Sequence, residues 1–222
     1  MQAWLGDGSG WAGQDVGVPV VTPLSRQLQA LGEPLLLDQL RHPTVVGLGR
    51  GDLDPGVFRG WLEQDYLFLV DYVRVFSRLA WQAPTEHVPD LVDLAHSTWH
   101  EELRLHRELA APFGADLAGA RKSRVCEAYT SFLLDVAADY GRGLAALLPC
   151  MWGYSQLGQR LAEDPPADPR YRRWVDGYAD PGFAALAGRC AQMLDEAEPE
   201  PVKAQDAFLA GMRHELAFWD AS

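Results

Sequence analysis

Cysteine is scarce in this chain: Cys126, Cys150 and Cys190 stand far apart in 222 residues, and no C-x-x-C pair occurs. Such spacing excludes a disulfide framework or a zinc knuckle and leaves reduced thiols as the expectation. Positive charge is also short. With 19 Lys and Arg against 31 Asp and Glu, the formal charge of −12 repels phosphate backbones and anionic lipid, and basic clusters such as Arg170-Tyr171-Arg172-Arg173 are brief. Nucleic acid is not expected as a partner. No apolar run reaches the ~18 residues that cross a bilayer, and the first residues lack the basic end and apolar block of a secretory signal. The expectation is a cytoplasmic protein with no membrane contact. Strand signals are nearly missing too, because Val18-Pro19-Val20-Val21 and Thr44-Val45-Val46 are broken by proline or flanked by loop residues.

What is present is helical periodicity. Residues 1–20 are glycine-rich and aperiodic, so they read as a flexible arm, and residues 21–222 read as a single helical domain. Thr22-Pro23 predicts a cap and first-turn proline for a first helix that Pro34 would kink. A loop is expected from His42-Pro43 to Gly51. Asp54-Pro55 then opens a second helix whose apolar stripe runs through Phe58, Trp61, Leu62, Phe68, Leu69, Tyr72 and Phe76 to Trp81. Further helices are expected near 85–112, 122–139, 142–163, 168–177, 181–196 and 201–219. Long helices with short connections predict an all-α bundle with a central ligand pocket.

Polar residues on inward faces mark candidate chemistry. Pro149 sits in the apolar helix Leu147-Leu148-Pro149-Cys150-Met151-Trp152, where a proline costs ~3 kcal/mol, and the thiol beside it is a candidate nucleophile or a small buried hydrophobe. Tyr154 follows one turn on and could orient a polar ligand or simply fill the core. Asp65 lies between Trp61, Leu62, Phe68 and Leu69, so its carboxyl needs a donor or a raised pKa. A structural Asp bonded to backbone or to an Arg would satisfy the same pattern. Glu215 is framed by Met212, Phe218 and Trp219, which suits a protonated general acid, the alternative being a helix-end Glu turned to solvent. The His96/His100 pair and Glu102/His106 are the only hints of a metal site. A dinuclear carboxylate centre needs Glu-x-x-His on two helices, and Glu102 and His106 are four apart, so an intrahelical Glu–His pair is the favoured reading and no metal is expected.

Three blocks carry a family resemblance. They are His42-Pro43 followed by Phe58-x-x-Trp61-Leu62-x-Gln64-Asp65-Tyr66, then Ala145-Ala146-Leu147-Leu148-Pro149-Cys150-x-Trp152-x-Tyr154, then Glu215-x-x-Phe218-Trp219. In order and separation they resemble the TenA/thiaminase II family, in its cysteine-bearing branch, over about residues 24–220. That resemblance implies a haem-oxygenase-like bundle and an aminopyrimidine aminohydrolase of thiamin salvage. The reaction it implies converts 4-amino-5-aminomethyl-2-methylpyrimidine to the 5-hydroxymethyl compound with release of ammonia; thiamin cleavage is a second implied activity.

By motif position Cys150 matches the family nucleophile, Glu215 the acid, and Asp65 the carboxylate that holds the exocyclic amino group. Tyr129, Tyr154 and Tyr178 match aromatic positions lining the pocket. Phe68 stands where many members carry tyrosine; it keeps a ring for stacking and lacks the hydroxyl. Either Asp65 or the substrate would help ionise the thiol. The resemblance also implies a homo-oligomer, a tetramer, working on a small pyrimidine without cofactor. Two other readings use the same bundle: a non-catalytic pyrimidine-binding or regulatory protein, prompted by Phe68, and a metal-dependent oxygenase, prompted by the histidines.

Overall fold

An acidic residue followed by proline opens helix after helix. In the computed structural model, which describes residues 22–220, Asp54, Asp168, Asp180 and Glu200 each accept hydrogen bonds from the first N–H groups of a helix. The proline that follows each one sits where a missing N–H removes no intrahelical bond. In chain order the helices are α1 (Leu24–Arg41), α2 (Pro43–Arg50), α3 (Pro55–Gln82), α4 (Val88–Ser97), α5 (Leu103–Ala110), α6 (Arg124–Val136), α7 (Tyr140–Ala162), α8 (Pro169–Ala179), α9 (Pro181–Glu196) and α10 (Pro201–Phe218). No strand occurs among the described residues, so the all-α reading holds. The arm expected over residues 1–20 lies outside them. None of the described helices is long and apolar enough to cross a membrane.

Three local expectations are corrected. The stretch from Pro43 to Arg50 is a helix, not a loop: His42 Nδ1 accepts from Thr44 N–H at 3.3 Å, Pro43 starts the turn, and Gly51 closes it at φ 75°. Burial of Val45 and Leu48 outweighs the weak helix propensity of the β-branched run. The single helix expected over 85–112 is divided into a short turn at Thr85–His87, α4, a wider π turn at Thr98–Glu102, α5, and a last turn at Ala111–Phe113. In the π turn Leu103 N–H bonds the Thr98 carbonyl, five residues back. Finally, Thr22 does not cap α1; Pro23 occupies the cap, and the Thr22 carbonyl accepts from Gln27 Nε2 at 2.7 Å. Helix α1 is continuous through Pro34, as α7 is through Pro149.

Helix α7 is the central element, packed most extensively against α10, then α8 and α9; α3 packs against α4, α5 and α6. Residues Leu144 to Leu148 are fully buried, and each buried leucine side chain contributes roughly 1.5–3 kcal/mol. Glycines set the closest approaches. A Cβ on Gly211 of α10 would lie 2.8 Å from Cγ of Pro149, and one on Gly158 of α7 would lie 2.4 Å from the Tyr178 carbonyl carbon. The first contact draws Cys150 toward α10; the second brings the end of α8, with Tyr178, against α7.

Gly158→Ala therefore gains ~1 kcal/mol of helix propensity and loses more to a collision with backbone that cannot rotate away. The expected net effect is a destabilisation of roughly 1–3 kcal/mol, read as a lower urea midpoint at an unchanged slope.

Candidate active site

Helices α3, α6, α7, α8 and α10 bring the expected site residues to one interior region. Glu215 is 1% exposed, and Tyr129 donates its hydroxyl to Glu215 Oε1 at 2.5 Å. Burial pushes the carboxyl up to about 8; the Asp65 charge adds to this, while contacts with Tyr129, Tyr154 and the Cys150 thiol pull back. Glu215 is therefore a neutral acid near pH 7. Burial likewise raises Cys150 well above the ordinary thiol value, helped by the charges of Glu215, Glu102 and Asp65, with Tyr72 opposing. The resting sulfur is a thiol. Between Leu144 and Met151, Cys150 alone keeps partial exposure, so it faces a gap in the packing although its neighbourhood is protein.

Asp65, 4% exposed, meets a histidine rather than the backbone group or arginine its inward position suggested. His106 Nε2 of α5 lies 3.0 Å from Asp65 Oδ2, in a geometry short of an aligned hydrogen bond, and neither atom has another protein partner. The expected Glu102–His106 pairing is thus secondary, because the short contact of His106 goes to Asp65. Among the described residues no group of three or more His, Cys, Asp or Glu could hold a metal ion, and the rings of His96 in α4 and His100 in the π turn lie 4.5 Å apart, tilted by 39°.

Aromatic rings close the region. Phe68 packs 5.0 Å from Tyr129, 5.2 Å from Tyr72 and 5.6 Å from Phe218, ring centre to ring centre. Tyr178 lies 4.9 Å from Tyr154 and 4.6 Å from Trp174. Tyr72 is a site residue that the sequence-based candidates omit, though its position two turns after Asp65 on the same face is a usable signal. His214, stacked flat on Tyr129 at 5.1 Å, gives no signal, because a His before an inward Glu reads as surface. Gln64, beside Asp65, serves the frame: it accepts from Ser123 N–H at 2.7 Å and donates to the Arg121 carbonyl at 3.0 Å, fixing the start of α6 and hence Tyr129. Two surface clefts, about 560 and 340 Å³, lie elsewhere, around His87 and around Trp152.

Fold and site together define an α-helical bundle of the heme oxygenase-like type with a thiol, two carboxyls and a ring of tyrosines inside it. A heme oxygenase-like domain from Shewanella denitrificans superposes with a TM-score of 0.68 at 12% identity, covering 89% of each chain. The chain belongs to the TENA/THI-4/PQQC family, which matches residues 32–222. It is 34% identical over 204 residues to an aminopyrimidine aminohydrolase of Halalkalibacterium halodurans, covering 85% of this chain and 90% of the other. A TenA homologue from P. horikoshii OT3 superposes with a TM-score of 0.84 at 26% identity, covering 90% and 97% of the two chains.

The proton on Glu215 has a consequence for stability. The folded protein holds it up to about pH 8, whereas an exposed glutamate releases it near 4.5, so native stability falls as pH rises through that window. Glu215→Gln removes this linkage. Its melting temperature relative to wild type should climb from about pH 5 to about pH 8 and level off beyond; a constant difference would mean that the folded protein carries Glu215 ionised.

Proposed function

We propose that the protein is an aminopyrimidine hydrolase of thiamin salvage, converting 4-amino-5-aminomethyl-2-methylpyrimidine and water to the 5-hydroxymethyl compound and ammonia, with thiamin as a second substrate. The observation that carries this reading is a thiol beside a carboxyl kept neutral by burial, with Asp65 in the same enclosed region. A pyrimidine ring accepts a nucleophile once a ring nitrogen is protonated, and a neutral Glu215 supplies that proton. The carboxylate left behind is a neighbour of Cys150 and takes the thiol proton, so the net transfer runs from sulfur to ring nitrogen.

Sulfur then bonds to the ring carbon next to that nitrogen. The 4-amino group pushes its electron pair through the ring, the C–N bond of the protonated aminomethyl group breaks, and ammonia leaves an exocyclic methylene. At that moment the 4-amino group carries positive charge, and the Asp65 carboxylate holding it is worth most. Water adds to the methylene and loses a proton, the C–S bond breaks, and the ring nitrogen returns its proton. Phe68 stacks on the ring while Tyr129, Tyr154 and Tyr178 line the pocket. The reading includes a cytoplasmic homo-oligomer, a tetramer as the family resemblance implies; the 89% exposed Trp81 is apolar surface that assembly would cover.

Purified protein incubated with the aminomethylpyrimidine should release ammonia and the hydroxymethyl product, and Cys150→Ala should lower that rate on the order of a thousandfold or more. Full activity in the variant would remove sulfur from the mechanism. Phe68→Tyr should raise turnover several-fold, roughly 1 kcal/mol, by restoring a hydroxyl to the stacking ring. An unchanged rate would assign the position to stacking alone, and ligand binding without turnover in either form would favour a binding protein.

A further inference from the structure

His106 takes no part in the steps above, yet the backbone leaves its regular register to bury it. Leu91 and Leu94 of α4 and Thr98 just beyond it form a buried stripe, spaced three and four residues apart. An uninterrupted α-helix carries that stripe on to residues 101 or 102 and then 105. The π turn at Thr98–Glu102 takes up one extra residue, so the buried positions beyond it are instead Leu103, His106 and Ala110. The usual preference is inverted: Leu105 is 42% exposed, and the histidine next to it is 3% exposed. Turns of this width are concentrated at functional sites.

The shifted register delivers a contact with the candidate site. His106 Nε2 lies 3.0 Å from Asp65 Oδ2, both side chains are more than nine-tenths buried, and neither atom has another protein partner. A carboxylate accepts only, so this contact calls for the imidazole proton on Nε2. We propose that His106 is a positioning residue, which holds one oxygen of Asp65 so that the other meets the exocyclic amino group of the pyrimidine. The proposal rests on the assignment of Asp65 to that amino group. A carboxyl swivels readily about its last bond, and Leu62, Phe68 and Leu69, one turn away on α3, offer it no polar anchor. His106 supplies one. Hydrogen bonds at active sites are often poorly aligned before substrate binds and tighten in the complex, which suits a contact at 3.0 Å whose N–H is off line. As ammonia is expelled and the amino group gains positive charge, a carboxylate already fixed in direction loses nothing to reorientation.

Calorimetric binding to the full chain tests this with two ligands, the 5-hydroxymethyl product and its analogue with hydrogen in place of the 4-amino group. Wild type should favour the amino compound. His106→Leu should cut the affinity for that compound about tenfold and leave the analogue unchanged. His106→Gln, whose amide nitrogen reaches the place of Nε2, should keep the preference, and His106→Asn, which is shorter, should lose it. In an Asp65→Asn background the leucine substitution should add little, because its effect runs through the carboxylate. Equal losses for both ligands, or the full tenfold loss in the Asp65→Asn background, would overturn the proposal and leave His106 a packing residue. Should the leucine variant not fold, Gln against Asn decides, and two variants alike in preference overturn it as well. The two assignments fail differently: a wild type that binds both ligands alike, or neither, removes the role of Asp65 and this proposal with it, whereas a preference that survives His106→Leu removes the proposal alone.

Discussion

The contact of Pro149 with Gly211 is the constraint on which the site depends. A proline in a helix interior forfeits a hydrogen bond, and a glycine there forfeits propensity, so each alone weakens its helix. Together they let α7 and α10 approach more closely than a Cβ would allow. The residue after the proline is Cys150 and the residue one turn after the glycine is Glu215. Two local costs thus place a sulfur beside a carboxyl inside a core whose surrounding leucines and aromatics are almost fully buried.

That placement sets the electrostatics. Removing water raises Glu215, Glu102 and the Cys150 thiol alike, because each loses more hydration in its charged form than in its neutral form. Glu215 and Glu102 respond by holding their protons to about 8 and about 7, and Cys150 remains a thiol. Glu215, Glu102 and Cys150, which would repel one another if ionised, coexist by holding their protons. The same arrangement costs stability, since Tyr72 Oη, Asp65 Oδ2, His106 Nε2 and the indole nitrogen of Trp61 are buried without protein hydrogen-bond partners. Folded proteins keep very few such atoms, and sites are where the few collect.

The supporting frame is polar where it must be exact in direction. Gln64 and Asp71 face α6 from α3: Gln64 fixes residues 121–123, and Asp71 pairs with Lys122, which also donates to Thr130 at 3.0 Å. Neighbours in sequence thus divide the labour, Gln64 orienting the helix that carries Tyr129 and Asp65 entering the site. At the other end, Trp219 Nε1 donates to Gln39 at 3.1 Å and its carbonyl accepts from Thr44, tying the end of α10 to α1 and α2. The helix at Pro43–Arg50, unexpected from its β-branched residues, exists because that junction buries Val45 and Leu48.

The amino-acid sequence by itself determined the helical class, the starts of most helices and the inward faces of Asp65, Cys150 and Glu215. These follow from periodicity, caps and proline positions, which are properties of a helix and its neighbours a turn away. Only the tertiary structure decided that His106, read as the partner of Glu102, meets Asp65, that Tyr72 faces the thiol, and that Glu102 joins the acids. Those contacts depend on one π turn and on the distances at which helices cross, and no spacing within a single helix records either.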